Sequence, residues 1–419
     1  MKPMSGCALI GAARALSGIR DGAVLQHSVV GCHWGSLAAG MLQQPDDFRQ
    51  ASTVVYEENV IQGGTELIPQ GLDNITQLYP DAKVIFVISG CIPNMIGDDT
   101  ESAVDRWQEE HPEHTVLYIP APGYAGNEND GIERALLALL PLMAGHETAE
   151  NEIKRETGSA ADQNFVSKKL PTVNILGIMA SDPYSINDLQ YLRRLFAGKL
   201  EILCASHQCT TKEISRMGQA DMNIVFGRGE KLAKIMWEQF GIPYLRCEYP
   251  YGIQGMRMFL QKLEECLSVD FSEEIRKMEK EADRVVRYSG MYLTTLYLLP
   301  AVVTGDRAHR PGMKRFLQDE LGMDVTAGFD ADAGDQDQLE TELQHSNAVL
   351  LLGSSFEAEL AERFSLPLVR YVYPVVDEVC LTRQTLLGAE GTAYLVQQIV
   401  NAVMRVRYKA EGIFRALRD

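Results

Sequence analysis

AKVIFVISGCIPNMIGDD, residues 82–99, decides how the chain folds. Its first half is an unbroken apolar run of strand length, and such a run fits a strand buried on both faces of a parallel sheet. The run stops at Ser89-Gly90, and Cys91 follows at once. Open α/β sheets build their sites at the carboxyl ends of strands, so residues 82–90 are predicted to deliver Cys91 to a functional edge.

Working outward, the same grammar repeats. PTVNILGIM (171–179), LEILCAS (200–206), MNIVFGRG (222–229) and IPYLRCEY (242–249) predict a second set of strands separated by amphipathic helical stretches. YLLPAVVTGD (297–306), NAVLLLGSS (347–355) and PLVRYVYP (367–374) predict a third. Between the first and second sets, residues 146–169 (HETAENEIKRETGSAADQNFVSKK) are polar and carry no strand pattern, which reads as a linker or exposed insertion. Residues 271–286 read as a charged connecting helix. The expected architecture is α/β, with three doubly wound, Rossmann-like parallel-sheet domains over 1–169, 170–290 and 291–419. The expected units are an N-terminal α/β domain, a middle α/β domain with its connecting helix, and a C-terminal α/β domain.

Composition is consistent with that plan. The 419 residues are 46% hydrophobic, ample for a large buried core in two or three domains. Against 57 acidic residues stand 39 basic ones, a net charge of −18, which argues against general binding to nucleic acid or anionic membranes. With no apolar run of bilayer length and no signal-peptide pattern in the first residues, the expected compartment is the cytoplasm. Eight cysteines in such a chain point to metal ligands or buried thiols rather than to a secreted disulfide framework.

Three of those cysteines share a context. Cys7 lies in SGCALIGAARALSGI, Cys32 in HSVVGCHWGS and Cys91 in VISGCIPNMIGDD, each in a predicted turn with glycine immediately before it. Glycine there permits close approach of backbone to a bulky inorganic group. Any one of them taken singly reads equally as a small buried hydrophobe.

The residues around them resemble the nitrogenase component 1 superfamily over nearly the whole chain, and its β-type subunits in particular. The resemblance rests on GCALIGAARALSGI (6–19), HSVVGC (27–32), VVYEENVIQGGTELI (54–68) and SGCIPNMIGDD (89–99). It rests equally on LPLVRYVYPVVDE (366–378), followed by LGAEGTAYLVQQIVNAVM (387–404). The cysteine spacings, 25 residues from Cys7 to Cys32 and 59 from Cys32 to Cys91, suit a β-type subunit.

The resemblance implies that Cys7, Cys32 and Cys91 bind an iron–sulfur cluster, 4Fe-4S or P-cluster-type 8Fe-7S, shared with a partner subunit. Three thiolates leave an ordinary four-iron site one ligand short, which implies an obligate oligomer. The implied partners are an α-like nitrogenase-type subunit in a heterotetramer, or a second copy in a homodimer, and an ATP-hydrolysing iron protein as electron donor. The implied function is that of a β-like subunit of an ATP-dependent, two-component, nitrogenase-like reductase, an oxidoreductase. Two alternatives stand beside it: a homodimeric tetrapyrrole reductase of the same superfamily, and a metallocofactor assembly scaffold.

Departures from the family pattern narrow this. The α-type cysteine and late histidine that hold the large cofactor are not recognisable. Nitrogenase β-type chains begin with a long extension and carry a serine after the third cysteine, whereas here the first cysteine is residue 7 and Gly123 stands near the serine position. A nitrogenase-like reductase subunit is therefore expected rather than a dinitrogen-reducing one.

Other groups carry two readings each. Cys204, His207 and Cys209 in LCASHQCTT form a C-x-x-H-x-C order that matches no standard zinc pattern and reads better as a strand-end turn with a structural thiol. Asp98 and Asp99 read as helix caps in preference to proton carriers. His27 and His33 flank Cys32 either as hydrogen-bond donors to cluster sulfur or as turn stabilisers. Arg370 and Asp377 read as a partner contact or as an internal ion pair. Gly227 and Gly229 do not make a nucleotide site, and no GxxxxGK[ST] phosphate loop is present, so ATP is expected to bind another protein.

Overall fold

The computed structural model describes residues 5–41, 48–144, 170–379 and 383–411. The polar stretch expected as a linker lies outside them.

Among the described residues twelve strands form three sheets of four, every strand pair parallel. The first sheet contains β1 (Gly22–His27), β2 (Gln50–Ser52), β3 (Val84–Ser89) and β4 (Val116–Pro120). The second contains β5 (Thr172–Leu176), β6 (Glu201–Ala205), β7 (Met222–Val225) and β8 (Tyr244–Arg246). The third contains β9 (Pro300–Gly305), β10 (Asp324–Asp330), β11 (Leu350–Gly353) and β12 (Leu368–Arg370). All three repeat one topology, in which the second strand pairs outside the first, and the third and fourth follow on its other side. The strand order therefore reverses between β1 and β3, between β5 and β7, and between β9 and β11. Such reversals open a crevice at the carboxyl ends of the strands. This is the α/β, triply repeated, doubly wound architecture read from the apolar runs.

Two compact units divide the chain. One comprises Ser5–Ser181 with Leu200–Arg246 and holds the first two sheets; the other comprises Asp182–Lys199 with Cys247–Asp419 and holds the third. The connecting helix is longer than expected, Ser272–Leu293.

In the first sheet every residue of β1 and β3 is buried, which explains a continuous apolar run in place of alternation. Val24, Phe86 and Ile88 point into one core with Leu9, Ala12, Ile132 and Leu136. Leu25, Ile85 and Val87 point into the other with Ile68, Leu72, Ile75 and Trp107. The helices supplying the first core are α1 (Ala8–Leu16) and, late in the domain, the helix Glu128–Leu137, and they approach to backbone contact. A Cβ built on Gly11 would lie 1.8 Å from the carbonyl oxygen of Glu128, and one on Gly131 would lie 1.8 Å from that of Ala8. No other residue fits at either position.

Candidate metal centre

Each of the three cysteines stands at the start of a helix rather than in a free turn. Cys7 is the N-cap of α1, its carbonyl accepting from Gly11 N at 3.0 Å. Cys32 lies in the first turn of α2 (Val30–Met41), and Cys91 opens a short helix, Cys91–Ile96, directly after β3. Cys32 and Cys91 thus follow β1 and β3, the two strands between which the order of the first sheet reverses.

Around Cys91 the chain is clamped. Gly90 N–H donates to the carbonyl of His27 at 2.9 Å, and Asn94 Nδ2 donates to Ser89 Oγ at 2.8 Å and to the Gly90 carbonyl at 2.7 Å. Cys7 is held from below: Gly6 N–H donates to Glu128 Oε2 at 2.5 Å, while the other oxygen of that buried carboxylate pairs with the buried Arg14 guanidinium. Arg14 Nε also donates to Ser181 Oγ at 2.7 Å. Removing one partner of such a buried pair leaves an uncompensated charge, so Glu128→Gln is expected to cost about 3–5 kcal/mol of stability and to loosen Cys7, read by urea titration.

Gly123 brings two of the cysteines together. Its N–H donates to Cys91 Sγ at 3.1 Å, and the point where a Cβ would sit on it lies 3.2 Å from Cys7 Sγ and 3.3 Å from Cys91 Sγ. Both sulfurs thus face one small space that any side chain at position 123 would enter. A serine there would also press on Cys7 Cβ, 2.9 Å from the same point. Cys32 is partly buried against the first core, which it shares with Ile10 of α1. The three sulfurs do not lie within 4.8 Å of one another. That spacing is too wide for one metal ion held by all three thiolates at once.

The glycines before the cysteines serve different ends. Ser28 Oγ lies 2.4 Å and Leu9 Cδ1 3.0 Å from the Cβ position of Gly90, so packing within the chain requires that glycine. Gly6 is crowded in the same way by Glu128 and Ile10. Of the three, Gly31 alone opens onto empty space, and only there does the reading of a close approach by a bulky group survive.

Both histidines are tied into the fold. His27 is fully buried, with Nδ1 2.8 Å from Thr53 Oγ1 and Nε2 3.1 Å from Asp98 Oδ2. Asp98 also accepts from Gly64 N–H at 2.7 Å, so it joins β1 to the Gly63–Gly64 turn instead of capping a helix. Asp99 is the cap, accepting from Ser102 N–H. His33 Nδ1 sits 3.0 Å from Gln50 Nε2, at the rim of a buried network of Gln26, Ser36 and Gln50 that seats α2. Burial pushes His33 below its ordinary pKa.

Burial likewise pushes His27 below its ordinary value, overcoming the hydrogen bond and charge of Asp98, which pull it up. Above about pH 6.5 the ring is neutral in folded and unfolded chain alike, and its full contribution is present. As pH falls below that, the unfolded chain takes a proton the folded one refuses, and stability is lost until the folded pKa is passed. Between about pH 7.5 and about pH 5.5 the native chain should therefore lose more stability than His27→Gln, measured by urea midpoints.

The remaining candidates resolve into structure. Cys204 and Cys209 are buried in the first core, and Cys209 bridges to Ile19 through backbone hydrogen bonds of 2.9 Å with Gly18 and Arg20. The possible ligand atoms of Cys204, His207 and Cys209 do not converge. Arg370 grips both carboxylate oxygens of Asp377 and donates to Glu378 at 2.9 Å, an internal ion pair. Sequence reasoning missed Gly123 as a contact of the cysteines and Glu128 as the anchor of Cys7; for Glu128 the one available signal was an acid in a helix-start motif, NEND.

Three doubly wound parallel sheets, with two thiols brought together beside Gly123 in the first domain, define the class of α/β protein. The chain belongs to the nitrogenase component 1 type oxidoreductase family, whose model matches residues 7–338 and 331–404. It is 30% identical to the nitrogenase iron-molybdenum cofactor biosynthesis protein NifE of Methanosarcina barkeri over 295 residues, 67% of this chain and 59% of that protein. It thus spans about three-fifths of that relative's length. It is 22% identical to the nitrogenase vanadium-iron protein beta chain of Trichormus variabilis, over 96% of this chain and 94% of that one. With a light-independent protochlorophyllide reductase subunit of Nostoc punctiforme it shares 23% identity, over 95% and 82%. A solved structure of nitrogenase Cp1 at pH 6.5 superposes with a TM-score of 0.81 at 16% identity, covering 98% of this chain and 94% of that one. This last likeness speaks for the fold.

Proposed function

We propose that the chain is the β-like subunit of a nitrogenase-like, ATP-dependent two-component reductase. Cys7, Cys32 and Cys91 would hold an iron–sulfur cluster, 4Fe-4S or 8Fe-7S, shared with an α-like subunit. The observation that carries the reading is the convergence of Cys7 and Cys91 sulfurs beside Gly123, at the crevice of the first sheet. Thiolates are the ordinary ligands of such clusters, and the open space at Gly31 is room beside the third. When bound, the group supplies one-electron transfer. Gly123 N–H steadies the Cys91 sulfur, and Arg14 with Glu128 steadies the segment carrying Cys7.

A shared site needs a partner, and the surface beside the cysteines supports one. Val30 and Trp34 on α2, Tyr56 and Ile61 around the helix Glu57–Gln62, Met95 and Tyr124 are all exposed, Trp34 by 65% and Ile61 by 84%. Large apolar side chains grouped on a surface mark an interaction face. Trp34→Asp together with Ile61→Asp is expected to abolish co-purification with the partner while leaving the melting temperature of the isolated chain unchanged.

The electron donor in this reading is a separate ATP-hydrolysing iron protein. The purified chain should hydrolyse no ATP above background, and substrate reduction should begin only when that protein and ATP are added. Intrinsic ATPase activity, or full turnover with a chemical reductant alone, overturns the two-component reading. Similarity to NifE favours a second reading, a scaffold on which a metallocofactor is built. Anaerobic purification separates the two: a tightly held cluster with a second subunit supports the reductase, and a cluster that passes to an acceptor protein supports the scaffold.

A further inference from the structure

The short helix Cys91–Ile96 is held at both ends by one residue. At its start, Gly90 N–H donates to the backbone carbonyl of His27 at 2.9 Å. At its end the chain leaves through Gly97, in the left-handed conformation at φ 80°, and reaches Asp98, whose N–H donates to the Pro93 carbonyl at 3.0 Å. The Asp98 side chain then returns to the same histidine, its Oδ2 lying 3.1 Å from His27 Nε2. His27 is the last residue of β1, in register with Ser89 of β3, and the chain beyond it carries Cys32. A helix of six residues is too short to keep a direction by its own hydrogen bonds, so the bearing of Cys91 depends on these two attachments.

The partners of the pair leave it little freedom. A carboxylate only accepts, so the ring proton sits on Nε2, and Nδ1 receives the Thr53 hydroxyl at 2.8 Å. The other carboxylate oxygen of Asp98 accepts from Gly64 N–H at 2.7 Å. A Cβ on Gly64 would stand 2.8 Å from Asp98 Oδ2 and 3.3 Å from His27 Cε1, so the turn lies directly against the pair. The side chains of His27 and Asp98 are 0% and 2% exposed. Apolar residues such as Leu25, Val87 and Ile68 fill the core on that side of the sheet. A buried polar pair adds little net stability over well-packed apolar groups; what its hydrogen bonds add is direction.

We propose that His27 and Asp98 are a positioning pair for Cys91, fixing the helix that carries its thiol from both ends. The role of that thiol as an iron ligand rests on the function proposed above; the hold on the helix does not. Outer-shell partners of this kind orient a ligand and slow its release from metal without touching the metal themselves.

Asp98→Asn tests this, because it keeps the shape but offers one acceptor oxygen to two donors, Gly64 N–H and His27 Nε2–H. In the full, iron-free chain, alkylation of Cys91 by iodoacetamide, read by peptide mass spectrometry, is expected to run about tenfold faster than in the native chain, as for loss of one hydrogen bond to a charged group. Cys7 should keep its native rate. In anaerobically prepared protein the variant should start with native iron content and release it to a chelator about tenfold faster, with an altered paramagnetic resonance line shape of the reduced cluster. Asp99→Ala is the control: it removes the cap of the helix Thr100–Glu110 and should lower the melting temperature while leaving all these readings native. Native alkylation of Cys91 in both Asp98→Asn and His27→Gln overturns the proposal. Equal acceleration at Cys7 and Cys32 also overturns it, since that marks general loosening. Faster alkylation of Cys91 in a protein whose native form takes up no iron keeps the positioning pair and overturns the cluster reading. Should both variants fail to fold, Thr53→Val, which removes only the outer hydrogen bond, decides, and an unchanged Cys91 rate there overturns the proposal.

Discussion

Alanine at Gly11 or at Gly131 is expected to unfold the first domain at temperatures where the native chain is stable. Each added Cβ would meet a backbone carbonyl oxygen at 1.8 Å, and backbone atoms have no alternative rotamer to retreat into. Relief requires prising α1 away from the helix Glu128–Leu137, which also carries the carboxylate that anchors Gly6 and Arg14. The cost should reach or exceed the upper end of the roughly 1–3 kcal/mol typical of overpacking. Gly290→Ala is the control. It lies within the helix Ser272–Leu293 with nothing inside 4 Å of its Cβ position, and alanine there should stabilise by about 0.5–1 kcal/mol. Thermal melts of the three variants check the contrast; native-like melting of both Gly11→Ala and Gly131→Ala would show that the helices are not in backbone contact.

Cys7→Ala, Cys32→Ala and Cys91→Ala are each expected to lose most of the bound iron of an anaerobically prepared protein. Cys7 and Cys91 face the same space beside Gly123, and among the described residues no other cysteine comes as close to that point to substitute for either. Cys266, exposed on the helix Gly252–Leu267, is the control, and Cys266→Ala should keep full iron content. Iron and sulfide analysis alongside circular dichroism separates loss of ligand from loss of fold. Full iron in all three variants would return the cysteines to the status of partly buried thiols. Because a shared site couples metal to assembly, iron-depleted variants should also dissociate from the partner in sizing experiments.

What the sequence determined by itself is what local pattern encodes. Unbroken apolar runs such as residues 84–89 and 350–353 became strands buried on both faces, since only a sheet covered by helices can hide every side chain of a strand. Their alternation with helical stretches was enough to specify parallel sheets, and the place where residues 82–90 stop marked the edge carrying Cys91. Strand β10 is a different case: its burial is mixed and its ladder slips between Val325 and Ala327, so residues 324–330 present no clean run to recognise. The site divides in the same way. Cysteine type and spacing were visible along the chain, but the company each residue keeps was decided by tertiary structure. Gly123 meets Cys91, and Asp98 meets His27 across 71 positions, only because separate strand ends of the first sheet converge. Two glycines that read as room for a ligand proved to be filled by Ser28 and Glu128, and two with no such signal around them, Gly11 and Gly131, proved to be points of backbone contact. Periodicity reports which face of an element is buried; it carries no record of which distant element covers that face, and close approach is a property of the pair.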